Sequence, residues 1–277
     1  MRQNGDSSSN NSLVGNNLTN NFDGVQLDNA SGNTLRDNHI NSAERNFGVD
    51  GINLIDFFND VDASNTVGGQ SVCYWVNRQH EVVPANAGYV VIVNSTDITI
   101  ENLNLGGNEQ GILLVCTENS TITGNVVQSN WYGIYSLLSS NNNHILRNTI
   151  AYNHECGVAF VSSSNNSIYL NNFIGNQASN SPDSMNTWDN GTVGNYWIFE
   201  ALQDDTPENV TLGTYLNASE VDSSGIWNAS YVIDANNVDH YPLVNQVTIP
   251  EFSSPVILLV GMLACFAVVI AFRRKHL

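Results

Sequence analysis

Short apolar segments recur along this chain at a nearly constant spacing. Isoleucine stands at positions 122, 145 and 168, and a second apolar residue follows five positions after each. The asparagine between them belongs to a column with steps of 23 residues, formed by Asn102, Asn125, Asn148 and Asn171. A period near 23 is too short for two packed helices and indicates a coil of short strands.

The repeat predicts an all-β fold, a right-handed parallel β-helix of about 22–24 residues per coil. Leucine-rich repeats have a similar period, but their leucine pattern is missing. The apolar positions on either side of each asparagine are five residues apart, an odd number, so in a straight strand they would point to opposite faces. Both face inward only if the backbone bends between them. We expect the asparagine itself to make this bend in the left-handed region. Its amide should then bond to the same amide in the neighbouring coils as a ladder.

Breaks in the repeat predict the domain organisation. The β-helix is expected over 1–200, with an irregular hairpin-like insertion near 57–87 around a Gly-Gly turn. Residues 201–248 are expected to form a C-terminal cap or stalk. Residues 249–277 predict an anchor, because 255–272 are 18 uncharged apolar residues followed by "RRKH". This pattern predicts a single transmembrane helix with a cytoplasmic C-terminus and an extracellular β-helix.

That topology requires export across the membrane. The first residues, "MRQNGDSSSNNSLVG", are polar and contain no apolar segment of the kind that a signal peptide has. We therefore expect the export signal to be missing from an N-terminally truncated sequence.

Charge excludes one class of partner. The chain has 26 acidic and 8 basic residues, a net charge of −18, and no lysine before position 275. Such a surface repels nucleic acid, so no nucleic-acid partner is expected. Cys73, Cys116 and Cys156 lie far apart in sequence and are expected to be free thiols, with a Cys116–Cys156 disulfide as the alternative.

Catalytic and metal-binding patterns are weak. In the regular coils 102–176 the acids are Glu109, Glu118 and Glu155, and no two share a column, whereas glycoside hydrolysis needs a carboxylate pair. The segment "NDVDASN" (59–65) alternates oxygen donors but lacks the glycine and glutamate of a calcium loop. Calcium therefore stays a minor alternative to a polar turn, and no catalytic or metal residue is predicted.

Two further groups of residues are candidates for surface chemistry. Trp131 and Tyr132 interrupt a polar column and are candidates for stacking on sugar rings, with core or rim packing as the alternative. Asn209, Asn217 and Asn228 stand in Asn-x-Ser/Thr sequons off the coils, which makes them candidate glycosylation sites in an external protein.

Several pieces of sequence carry a family resemblance. They are "ASNTVGGQSVCYW", "NAGYVVIVNSTDITIENLNL", "GILLVCTENSTITGN", "SIYLNNFIGN", "NTWDNGTVGNYW" and "YVIDANNVDHYPL". Together they resemble the NosD-type parallel β-helix proteins, a family described as periplasmic and copper-binding and abundant among archaeal surface proteins. The tripeptide in "IPEF" (249–252) resembles the archaeal Pro-Glu-Phe sorting signal. That resemblance implies processing of the tail and a lipid anchor.

The resemblance implies copper only through the family label. The histidines outside the tail are scattered, and Met185 is the one interior methionine, whereas copper(I) favours clusters of Cys, Met and His. These histidines are His39, His80, His144, His154 and His240. No cofactor is therefore expected.

The sequence predicts a membrane-anchored extracellular β-helix with a non-enzymatic role. Surface glycans or envelope proteins are the expected partners, through glycan binding or adhesion. A polysaccharide-processing hydrolase or lyase is the alternative, and a copper-binding accessory protein is the second alternative.

Overall fold

Three-residue strands separated by sharp corners build most of each coil. The strand His144–Leu146 is followed by Arg147 at φ 55°, by a buried Asn148, and then by the strand Thr149–Ala151. The left-handed residue bends the chain, and the asparagine after it turns its amide into the corner. One coil therefore has three strands and three corners, and 22–24 residues separate aligned positions.

The structure is a computed structural model. It describes residues 9–42, 44–176, 178–180, 184–198, 225–227 and 229–249, with the backbone alone for 178–180. Over these ranges the chain is an all-β solenoid of mostly parallel strands with no α-helix, which confirms the predicted parallel β-helix. Its right-handedness stays a prediction.

An N-terminal stack contains the first eight strands and one 3-10 helix, η1. These elements are β1 (Ser12–Val14), β2 (Asn17–Thr19), β3 (Asp23–Asp28), β4 (Thr34–Arg36), β5 (His39–Asn41), β6 (Arg45–Asp50), η1 (Leu54–Phe57), β7 (Asp60–Val61) and β8 (Thr66–Val67). Strand β4 lies between β1 and β7, β5 lies between β2 and β8, and β6 pairs with β3, all in parallel.

A main stack of sixteen strands follows. They are β9 (Gln70–Val76), β10 (Gln79–Val82), β11 (Ala87–Val93), β12 (Thr96–Glu101), β13 (Asn104–Gly106), β14 (Gln110–Val115), β15 (Thr121–Thr123), β16 (Val126–Gln128), β17 (Tyr132–Leu137), β18 (His144–Leu146), β19 (Thr149–Ala151), β20 (Cys156–Val161), β21 (Ser167–Tyr169), β22 (Asn172–Ile174), β23 (Ala178–Asn180) and β24 (Tyr196–Ile198). A hairpin of β25 (Tyr231–Asp234) and β26 (Asn237–Asp239) follows them.

A tight turn connects the two stacks and lies within 57–87, where a hairpin-like insertion is expected. Gly68 and Gly69, both at positive φ, reverse the chain so that β8 and β9 pair in antiparallel. This turn joins both stacks into one nine-stranded sheet, with the order β2-β5-β8-β9-β11-β14-β17-β20-β23. Every residue of β11 and β14 is buried, because one face of this sheet lines the main core and the other packs against the N-terminal stack.

A column of buried asparagines runs along the main stack. The Nδ2 group of Asn125 donates to Oδ1 of Asn148, Asn148 donates to Asn171, and Asn171 donates to Asn195, at 2.9–3.0 Å. Each Oδ1 also accepts the backbone N–H of the asparagine one coil earlier. The amide thereby satisfies the backbone at a corner that water cannot reach.

Asn102 lies outside this column, and the expected cause of the bend was also wrong. The coil after Asn102 has 22 residues, so Leu103 aligns with Asn125, and its N–H bonds to Asn125 Oδ1 at 2.9 Å. Asn102 is exposed at φ 56° and occupies the corner position. In the next coils Gly124, Arg147 and Leu170 hold that left-handed position, and the ladder asparagine comes one residue later.

The C-terminal hairpin closes the ladder. Buried Asp239 takes the place of the next asparagine, and its Oδ2 accepts hydrogen bonds from Asn195 N at 2.7 Å and Trp197 Nε1 at 2.9 Å. A carboxylate suits the end of the column because it accepts hydrogen bonds and needs no further acceptor. Burial, partly offset by these hydrogen bonds, raises the pKa of Asp239 to about 6.

Some expectations concern residues beyond the described ranges. No helix among the described residues is long and apolar enough to cross a membrane, and the expected spanning segment 255–272 lies outside them. The candidate glycosylation sites Asn209, Asn217 and Asn228 and the "PEF" tripeptide lie outside them as well.

We predict that Asn148→Leu lowers the free energy of unfolding by at least about 3 kcal/mol, because it leaves buried backbone groups without partners. Urea denaturation of the purified domain measures the change. Asn104→Leu is the matched control, since Asn104 is an exposed strand residue, and it should change the stability by less than about 0.5 kcal/mol. Equal stability of the two variants would contradict a ladder role.

We predict that the stabilising contribution of Asp239 is largest at low pH. Its folded-state pKa, about 6, lies above the ordinary value of 3.8 for an aspartate, so the folded protein binds the proton more tightly. The contribution is complete below about pH 4 and is lost as the pH rises through 6, by about 3 kcal/mol. Urea denaturation of the wild type and of Asp239→Asn at several pH values tests this. A stability difference that does not vary between pH 4 and 7 would refute it.

Candidate functional site

The line where the two stacks meet forms a candidate binding surface. Asn46 N donates to Gly107 O at 2.7 Å, and Glu109 N donates to Phe47 O at 3.0 Å, so strand β6 is fixed beside the chain that enters β14. Gln110 strengthens this junction, because its Nε2 bonds to Val49 O at 3.0 Å and its Oε1 accepts the Tyr89 hydroxyl at 2.7 Å. The relative position of the stacks is therefore set by buried hydrogen bonds.

Arg45 is the central side chain of the junction. Its Nε and Nη2 bond to the two carboxylate oxygens of Asp23 at 2.6 and 3.1 Å, and its Nη1 bonds to Glu109 Oε2 at 2.6 Å. Burial alone would lower the pKa of Arg45, but the two carboxylates raise it overall. The pKa of Glu109 is also raised, because burial outweighs the attraction of Arg45. The pair is therefore a partly desolvated cross-link between the stacks.

A groove of about 380 Å³ opens beside Arg45. It is lined by Phe22, Glu44, Arg45, Ser129, Asn130, Trp131, Tyr152 and His154. One wall therefore comes from the N-terminal stack and the other from two successive coils of the main stack. Ligand pockets commonly have volumes of about 300–1,000 Å³, so the groove is large enough for a small ligand.

Of the two residues predicted to stack on sugar rings, Trp131 lines the groove and Tyr132 does not. Trp131 lies in the groove, but the His154 ring stacks on it at 4.0 Å and the Arg45 guanidinium lies 5.2 Å from its ring centre. His154 is one coil later than Trp131, whereas Arg45 is held by Glu109 one coil earlier. Tyr132 stacks on Tyr135 at 4.7 Å and does not line the groove.

Two exposed rings at the groove were missed by the sequence reasoning. Phe22 is 66% exposed and Tyr152 is 50% exposed. Tyr152 occupies a left-handed corner, at φ 51°, directly before the buried Asn153. Corner residues in this position project away from the coil. An aromatic residue directly before a ladder asparagine is therefore the sequence pattern that predicts an exposed ring of this kind. Gly175, one coil later, leaves room for the Tyr152 ring, which a Cβ there would approach to 2.7 Å.

A second groove, of about 490 Å³, lies where β7 approaches β9. Its lining includes Asp60, Asp62, Trp75, Arg78 and Asn86. Arg36 bonds to Asp60 and, at 3.0 Å, to Asp62, so these carboxylates of the segment 59–65 already have a cationic partner. The oxygens that suggested calcium at the sequence level are therefore used in an ion-pair network.

The described residues do not gather a donor set that fits copper. Within them, no three His, Cys, Asp or Glu side chains converge as metal ligands would. Cys73 and Cys156 are free and buried, and burial raises the pKa of each thiol to about 12. Such thiols resist conversion to the thiolate that binds metal. Cys116 is also free, so the alternative disulfide with Cys156 was wrong.

Acids share a column at two places among the described residues. Glu109 and Glu155 are both aligned with Trp131, which lies between them, so the expectation that no two acids of 102–176 share a column was wrong.

A second pair lies on neighbouring strands. Asp28 and Asp50 are aligned residues of the paired strands β3 and β6, and both are exposed. The sequence reasoning sought such pairs in 102–176 and therefore missed this pair in the N-terminal stack. Neither residue lines either groove.

We predict that Arg45→Ala lowers the free energy of unfolding by about 2 kcal/mol, because Glu109 keeps a half-buried charge without its partner. Glu109→Gln removes that charge, so the double variant should be more stable than the sum of the single changes implies. A double-mutant cycle in urea should give a coupling energy of about 1 kcal/mol or more. Simple additivity would show that Arg45 does not cross-link the stacks.

Comparison with known proteins gives a similarity for part of the chain. Residues 76–199 match the family model described as periplasmic copper-binding protein (NosD), over less than half of the 277 residues. No significant match was found among curated proteins or among solved structures. The family match and the β-solenoid together fit a NosD-type parallel β-helix, a fold and family consistent with a domain that lies outside the cytoplasm.

Proposed function

We propose that this chain is a non-enzymatic, glycan-binding module of the cell envelope. The groove between the two stacks is the proposed binding site, with Phe22 and Tyr152 as the sugar-contacting rings. In this proposal the segment 255–272 anchors the module to the membrane and the β-helix faces outward, which agrees with the similarity of residues 76–199 to a periplasmic family.

The single observation that carries the proposal is the composition of the groove. Exposed aromatic rings, Phe22 and Tyr152, stand beside polar groups such as Ser129 and His154. Sugars present apolar C–H faces and a rim of hydroxyls, so they suit a site that offers both kinds of surface. Trp131 supports the site, since its ring stacks on His154 and lies 5.2 Å from the Arg45 guanidinium.

Rigidity also supports a binding role. The groove residues Trp131 and His154 sit on coils whose corners are held by the buried residues Asn130 and Asn153, joined at 3.1 Å. Binding to a preformed surface costs less ordering of side chains than binding to a flexible loop.

The pair Asp28 and Asp50 favours a second candidate, a polysaccharide-processing enzyme. Two carboxylates side by side on an exposed sheet face are the minimum that glycoside hydrolysis requires. In this alternative the groove beside Arg45 would hold the neighbouring part of the polysaccharide chain.

We predict that the double variant Phe22→Ala/Tyr152→Ala binds oligosaccharides about tenfold more weakly than the wild type, since each aromatic contact contributes about 0.5–1.5 kcal/mol. A glycan array identifies ligands, and calorimetric titration of the purified domain gives the dissociation constants. Both side chains are at least half exposed, but the Arg45 guanidinium lies 5.7 Å from the Phe22 ring centre, so the variant should lose no more than about 1 kcal/mol of stability.

Tyr241→Ala is the matched control, because Tyr241 is 36% exposed and lies outside the groove. It should bind with wild-type affinity. Equal weakening by the control, or no glycan binding by the wild type, would refute the groove as a glycan site. Release of new reducing ends from a bound polysaccharide, abolished by Asp50→Asn, would replace the binding role with the enzymatic one.

A further inference from the structure

The charges around the groove indicate which glycans it accepts. The groove has two basic side chains, His154 and Arg45, and the Arg45 guanidinium, the permanently charged one, already bonds to Asp23 and Glu109. Its positive charge is therefore matched by two carboxylates before any ligand arrives. A ligand carboxylate or sulfate would therefore meet a guanidinium whose charge is already matched and whose N–H donors are mostly used.

Glu44 adds a carboxylate to the wall of the groove. It is exposed, and its backbone N–H bonds to Phe22 O at 3.2 Å, which fixes the chain beside the exposed ring. In the described part of the chain, no basic side chain lies within salt-bridge distance of the Glu44 carboxylate. The groove therefore combines a guanidinium whose charge two carboxylates already match with a carboxylate, Glu44, that has no basic side chain within salt-bridge distance among the described residues.

We propose that the groove selects glycans that carry protonated amino groups, such as oligomers of glucosamine, and that Glu44 binds the ammonium group. This inference rests on the proposed glycan-binding function and specifies its substrate class. The sugar ring lies against Phe22 or Tyr152, and the ammonium group projects towards Glu44. Uronate-containing glycans are rejected, because their carboxylates are repelled by Glu44 in the groove wall and by Asp23 and Glu109, which bind Arg45 behind that wall.

The burial of Glu109 supports the same selection. Its pKa is raised first by burial and further by the nearby charges of Asp23 and Asp50, against the attraction of Arg45. The acids at the junction thus repel one another even with Arg45 present. An added cation reduces this repulsion and an added anion increases it.

The test compares three short ligands of equal length by calorimetric titration at pH 6 and physiological salt. They are a glucosamine disaccharide, its fully N-acetylated counterpart and a digalacturonate. The expected order of affinity is amine first, acetylated second and uronate last, with about a fivefold preference for the amine over the acetylated form, as expected for one partly exposed ion pair. Glu44→Gln should abolish that preference and leave binding of the acetylated ligand unchanged.

Glu118→Gln is the matched control, because Glu118 is exposed and lies outside the groove. It removes one negative charge from the whole protein and should keep the preference. If both variants lose it equally, the net charge and not Glu44 attracts the amine, and the inference is wrong. Equal affinity of the wild type for all three ligands would overturn the selectivity and leave glycan binding intact, whereas no binding of any ligand would overturn both.

Discussion

The need to satisfy backbone groups inside tight corners governs this molecule. A coil of three short strands must turn three times, and each corner places N–H and C=O groups where water cannot enter. The asparagine ladder supplies hydrogen bonds to these groups. The side chain of Asn148, for example, bonds to Asn125 in the coil before it, to Asn171 in the coil after it and to Leu146 O in its own corner. Because each rung depends on its neighbours, the ladder needs an end, which Asp239 supplies.

The ladder leaves the outer surface of the coil available for other purposes. The residue before Asn125, Asn148, Asn153 and Asn171 is in the left-handed region. The structure tolerates Arg147, Tyr152 and Leu170 there as well as glycine. A non-glycine residue in this region costs about 1–2 kcal/mol, which the adjoining buried hydrogen bonds offset. Residues at these corners can therefore vary with the ligand while the scaffold stays the same.

The sheet that is buried on both faces produces the groove. A single solenoid presents smooth sides, but here the Gly68-Gly69 turn folds an N-terminal stack against the main one, and a cleft remains where their coils separate. Arg45 reaches across that line to Glu109 and Trp131. The proposed glycan site, its selectivity and the stability of the junction thus depend on the same side chains. A substitution at Arg45 should affect all three properties, whereas substitutions at Phe22 and Tyr152 should act mainly on binding, with a small loss of stability because Phe22 lies under the Arg45 guanidinium.

The sequence by itself determined the class of fold, the coil length and the inward-facing positions, because both the period of 23 and the alternation of apolar residues are local properties. Ile122, Ile145 and Ile168 are completely buried, as their spacing predicted. The sequence pattern assigned Asn102 to the ladder wrongly, because the coil after it is one residue shorter than the two coils that follow. The regular spacing of asparagines does not reveal that difference. Only the tertiary structure decided that two stacks share a sheet and that Phe22, Arg45 and Trp131 meet. Those residues are far apart in sequence and belong to no common repeat, so their proximity follows from the packing of one stack on the other.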